Sequence, residues 1–126
     1  PLTDFPKRRF LASPLHLDEL FRFVHHEVEV DGRRNVIAFT HAYHGLSLGA
    51  LATTANAAYR HEAFVNRGDV AFVPYDGYLG PHVNTADYLA RVLDDASSGV
   101  DRPAAVIVET IQGEGGINVA SPEWLR

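Results

Sequence analysis

Three short apolar runs constrain this chain more than any other feature. They read "NVIAFT" (35–40), "DVAFVPY" (69–75) and "AAVIVET" (104–110). Each is rich in β-branched residues and lacks a polar alternation, which is the pattern of a strand buried on both faces. Between the second and third runs, Tyr88, Leu89, Val92, Leu93 and Ala96 of "ADYLARVLDDA" share one helical face, and Asn84 or Thr85 can cap it. "SLGALATTA" (47–55) reads as a shorter helix, weakened by Gly49. Leu17, Leu20, Phe21, Val24 and Val28 predict a further helix over 14–28, ended by Asp31-Gly32. Buried strands alternating with amphipathic helices imply an α/β fold, with a mostly parallel sheet and helices at its flanks.

In such sheets, ligands sit at the carboxyl ends of the strands. The stretches to inspect are therefore "HAYHGLS", "PYDGYLG" and "IQGEGGIN". His41 and His44 stand three apart, a spacing that on a helix can turn two imidazoles toward one metal. No third ligand is evident beside them, and a turn with two polar rings is the simpler reading. Tyr43 offers a flat face to a planar ligand, and Gly45 lets the backbone turn close by. The glycines of "QGEGG" cradle a phosphate in some proteins and form a plain flexible loop in others. Glu109 falls at the end of a buried strand, where a carboxylate needs a partner. That partner is either structural or functional. His25-His26 read as a solvated or packed pair, and no serine sits in a G-x-S-x-G elbow.

Composition excludes several classes. Apolar residues make up 46% and charged residues 21%, a globular profile. The net charge is −5, with no basic run, so nucleic acid and anionic lipid are poor partners. There is no cysteine, hence no disulfide, thiolate metal site or cysteine nucleophile. No apolar run approaches the ~18–20 residues that span a bilayer, so no membrane partner is expected, and the cytoplasm is the default location.

The runs "NVIAFTHAYHGLSLGAL", "VPYDGYLG" and "SSGVDRPAAVIVETIQGEGGINVASPEWLR" together resemble the class III (subgroup II) pyridoxal-phosphate aminotransferases. The resemblance covers roughly residues 32–126, and its last run is similar to the diaminobutyrate subgroup of that family. It implies part of the large domain of fold type I, with pyridoxal 5'-phosphate as cofactor. It also implies amino acid and 2-oxo acid substrates and a homo-oligomeric parent enzyme. The implied reaction is transfer of the 4-amino group of L-2,4-diaminobutyrate to 2-oxoglutarate, the opening step of ectoine biosynthesis. Ornithine, 4-aminobutyrate and acetylornithine are alternative donors; a non-catalytic remnant or binding module is the alternative of a different kind. By the same resemblance, Tyr43 stacks on the cofactor ring, and His44 and Gly45 complete that turn. Glu109 lies under the cofactor region. Glu114 matches the glutamate that pairs with a distant arginine and switches the site between amino donor and dicarboxylate acceptor.

The departures are equally specific. Transamination needs a lysine to carry the cofactor and shuttle a proton, and an acid on the pyridine nitrogen. The only lysine here is Lys7, which matches nothing in the family, and both positions are expected beyond Arg126. Ser121-Pro122-Glu123 opens a helix one turn before the chain stops, and Pro1 opens the chain without a methionine. These features lead to the expectation of a piece of a larger enzyme, inactive and aggregation-prone alone. Residues 1–31 form an unmatched segment and 32–126 a partial cofactor domain. "PLHLDELFRFVHHEVEVD" lacks the Ser/Thr-Gly-x-Glu-Ala stretch with which the family opens a helix whose amides hold the cofactor phosphate. A frame change or rearrangement near residue 31 would explain this, and it fails if no other reading frame encodes the missing helix; a divergent but real N-terminus is the milder reading.

Overall fold

The computed structural model describes residues 32–60 and 69–126. Its centre is strand β1, Val36–Phe39, in which all four residues are buried. β2 (Val70–Val73) and β3 (Ala105–Val106) flank it, in the order β2-β1-β3, and both pair with it in parallel. The register sets Val36 opposite Val70 and Ala105, and Phe39 opposite Val73. Side chains alternate across the sheet. One face therefore gathers Ile37, Phe39, Ala71 and Val73 with Tyr75, Leu89, Val100, Ala120 and Trp124. Val36 and Ala105 form a second cluster with Val70, Ala104 and Ile107.

Helix α1, Leu48–Thr53, follows β1 and packs against β2. Its Ala50, Leu51 and Ala52 are buried. Helix α2, Thr85–Asp94, is capped by Asn84, whose side chain accepts the Ala86 N–H at 3.0 Å. Thr85 is the first helical residue and is fully buried. Its hydroxyl donates to Tyr75 O and accepts from Trp124 Nε1–H at 2.7 Å. Leu89 packs on the core, whereas Tyr88, expected on the same face, is exposed.

The third strand is shorter than the apolar run predicts. Ile107 N–H still donates to Ile37 O, but regular pairing stops at Val106. The carbonyls of Glu109 and Thr110 instead accept from the Tyr75 hydroxyl. Val106 and Val108 are partly exposed, so the described residues do not cover this run on both faces. Two further strands, β4 (Ile111–Gln112) and β5 (Asn118–Val119), form an antiparallel hairpin. At the far end, Ser121 acts as a cap. Its Oγ accepts the Trp124 N–H at 3.3 Å and its carbonyl accepts the Leu125 N–H. The expected helix over 14–28 and the His25-His26 pair lie outside the described residues.

Candidate functional site at the strand ends

The loops after β1, β2 and β3 meet at the carboxyl ends of the strands, as a parallel sheet requires. Gln112, fully buried, joins two of them. Its amide donates to Thr40 O at 2.8 Å, and its oxygen accepts from Asn118 Nδ2. His41 lies at φ 65°, and its Nδ1 sits 3.1 Å from Gly115 O. Its ring meets the edge of Tyr78 at 5.3 Å. Asp76, after β2, accepts the Ser121 N–H at 2.8 Å and ties that loop to the end of the chain.

Within this frame, Tyr43 and Glu109 meet directly. The Tyr43 backbone N–H donates to Glu109 Oε2 at 2.9 Å. Glu109 is the partnered carboxylate anticipated at the strand end. Burial pushes its carboxyl above the usual range, the Tyr43 N–H opposes that shift, and repulsion from Glu114 adds to it. Glu114 is exposed on the glycine-rich loop. Its Oε2 accepts from the Tyr59 hydroxyl at 3.1 Å. Tyr59 in turn sets its ring against that of Tyr43, at 5.3 Å and 66°. Tyr43, Glu109, Glu114 and Tyr59 thus form one connected set.

His44 and Gly45 are held by the residue that ends helix α1. The His44 N–H donates to Thr54 Oγ1, and that hydroxyl faces Gly45 O and Ala50 O. Gly45 takes φ 117°, a conformation glycine adopts without strain. The His44 imidazole is pushed down from 6.5 to about 4 by burial, so it is neutral at pH 7. Its Nε2 is buried without a partner. Metal binding by His41 and His44 finds no support in this arrangement: one imidazole faces a carbonyl, and no third ligand joins them among the described residues.

Tyr59, Thr54 and Gln112 join this candidate site through their contacts, and sequence reasoning did not single them out. A cleft of about 450 Å3 opens at the opposite end of the sheet, between Arg34, Asn35, Asp69, Asp101 and Arg102. It lies at the amino ends of the strands, away from both glutamates.

A family model described as aminotransferase class-III matches residues 19–126. The chain belongs to the class III aminotransferases. The match begins at residue 19, within the segment read as unmatched. A diaminobutyrate–2-oxoglutarate transaminase from Wolinella succinogenes is 65% identical over 97 residues, covering 77% of this chain and 23% of the relative. Transaminases of the same name from Bordetella parapertussis and Halomonas elongata are 60% and 53% identical. They match 78% and 75% of this chain, and 22% and 23% of their own lengths. The chain therefore spans about a quarter of the length of these relatives. A transaminase structure from the marine bacterium Virgibacillus superposes with TM-score 0.69 at 20% identity, over 86% of this chain and 25% of that one. This likeness shows the fold: the sheet is part of a class III aminotransferase large domain, of fold type I, present here incompletely. No helix among the described residues is long and apolar enough to cross a membrane.

Proposed function

We propose that this chain is the ring-stacking and gating part of a pyridoxal-phosphate-dependent aminotransferase. That enzyme moves the 4-amino group of L-2,4-diaminobutyrate to 2-oxoglutarate, giving aspartate 4-semialdehyde and glutamate. The observation that carries the reading is the direct bond between Tyr43 and Glu109, with Glu114 joined to them through Tyr59. The names of the relatives, at 53–65% identity, support the choice of substrates. Activity belongs to a polypeptide carrying more than these residues, because residues 32–126 contain no lysine. We place that enzyme in the cytoplasm and expect it to be a homo-oligomer.

The residues present fit the cofactor. Tyr43 supplies a half-buried ring, Glu109 a carboxylate anchored by the Tyr43 amide, and His44 a buried ring nitrogen that lacks a partner. Pyridoxal phosphate, when bound, supplies the electron sink that makes amino-group transfer accessible. This chain's part is to position. Tyr43 offers a flat surface, and the bond to Glu109 fixes the backbone that presents it. Gly45 and Thr54 hold the turn that follows. Glu114 presents an exposed carboxyl group on the glycine-rich loop, suited to meet a cationic amine or an arginine and to move aside for a dicarboxylate.

The test is glutamate production by the whole polypeptide, from 2-oxoglutarate with each of four donors: diaminobutyrate, ornithine, 4-aminobutyrate and N-acetylornithine. Preference for diaminobutyrate is expected. Preference for another donor reassigns the substrate, and no glutamate from any donor overturns the reading. Tyr43→Ala should weaken cofactor binding about three- to tenfold, read by titration of cofactor absorbance.

A further inference from the structure

The gate glutamate does not stand free on its glycine loop. Gly113 precedes Glu114, and Gly115 and Gly116 follow it, so its neighbours offer no side chain to hold it. What reaches its carboxylate comes from a distant element. Tyr59 ends a short 3-10 turn, Ala57–Tyr59, capped by Asn56, whose side chain accepts the Ala58 N–H at 2.9 Å. From there its hydroxyl donates to Glu114 Oε2 at 3.1 Å, while its ring packs against that of Tyr43 in an edge-type contact. One side chain thereby fixes the distance between the ring-stacking residue and the gate.

We propose that Tyr59 is a positioning residue that holds Glu114 in its withdrawn place, the one it takes when a dicarboxylate occupies the site. The inference rests on the reading of Glu114 as the gate. Its logic is electrostatic. A dicarboxylate such as 2-oxoglutarate needs the site's arginine unpaired, so Glu114 must have somewhere else to go. A phenol suits that purpose better than a second cation. It donates to the carboxylate without neutralising it, and the bond is weak enough to break when a diamine enters. The phenol is a donor near neutral pH without any shift, and the bond to Glu114 raises it further above its ordinary value of 10.0.

The test uses the whole polypeptide with its cofactor. Tyr59→Phe keeps the ring on Tyr43 and removes only the hydroxyl. Its KM for 2-oxoglutarate should rise about three- to tenfold. The KM for diaminobutyrate should change by less than twofold, and Tyr59→Phe should add nothing in a Glu114→Gln background. A merely structural role would raise both KM values together, in either background, and would overturn the proposal. A silent Tyr59→Phe would overturn it as well. If Glu114→Gln itself leaves both KM values unchanged, the gate reading falls and this inference with it. A readout independent of turnover is the tyrosine titration by 13C NMR. One high-titrating phenol should vanish in Tyr59→Phe and shift down in Glu114→Gln. A spectrum in which Glu114→Gln moves no phenol removes the hydrogen bond on which the proposal stands.

Discussion

Gly115 and His41 approach so closely that no side chain fits between them. A Cβ at Gly115 would stand 2.5 Å from the His41 carbonyl oxygen and 2.8 Å from its Cβ. Backbone cannot yield as a flexible side-chain tip can. Gly115→Ala should therefore lose about 1–3 kcal/mol by overpacking. It should also push Glu114 off Tyr59. Urea denaturation measures the first effect and tyrosine titration the second; an unchanged midpoint with an unchanged phenol would contradict both.

His44 makes stability depend on acid. Its folded pKa is about 4, against 6.5 when exposed, so the unfolded chain takes up the proton first as pH falls. The stabilisation is complete above pH 6.5 and is lost progressively toward pH 4. It amounts to about 3 kcal/mol at the usual 1.36 kcal/mol per pKa unit. His44→Gln should flatten the stability curve between pH 6.5 and 4, read from denaturation midpoints across that range.

Glu109 acts in the opposite sense. Its folded pKa lies above the unfolded 4.5, so the folded chain binds the proton more readily. That contribution is full below pH 4.5 and is lost as pH rises through the raised value. Glu109→Gln keeps an oxygen for the Tyr43 N–H but cannot ionise. Stability of this variant relative to wild type should increase from pH 4 to pH 7. A ratio that stays constant over that interval would show the carboxyl to be unperturbed.

Thr85 and Trp124 form a buried junction between α2 and the end of the chain. Thr85→Val leaves the Trp124 indole N–H without its acceptor and should lose about 1–3 kcal/mol. Trp124 is the single tryptophan, packed at 5.1 Å against both Phe39 and Tyr75. Its fluorescence therefore reports unfolding directly, and a transition as stable as wild type would count against the junction.

Much of this arrangement was legible in the residues. "NVIAFT" announces β1 because a central parallel strand is apolar on both faces, and Asn84 announces α2 because its side chain replaces a missing backbone acceptor. β3 was over-read. An apolar run shows where a strand can form but not where another residue takes its carbonyls, as Tyr75 does at Glu109 and Thr110. Within the candidate site, Tyr43, His44, Gly45, Glu109 and Glu114 were named from the strand ends and the family resemblance. Tyr59 was not, because its two contacts reach Tyr43 and Glu114 across long stretches of chain. Neither helical nor strand periodicity records such pairings. Gln112 escaped for the same reason: its hydrogen bond to Thr40 spans 72 residues.

Gln112 has a kinetic consequence. The β4–β5 hairpin shares no ladder with the parallel sheet; side chains stitch it there, chiefly Gln112 to Thr40 and His41 to Gly115. A ladder unzips residue by residue, whereas a few side-chain ties, Tyr59 to Glu114 among them, release almost together. The hairpin is thus a separate unit of local opening, with its own free energy below that of the whole domain. Backbone amides of Ile111–Val119 should exchange with deuterated solvent well before those of Val36–Phe39, and Glu114 rides on the faster clock.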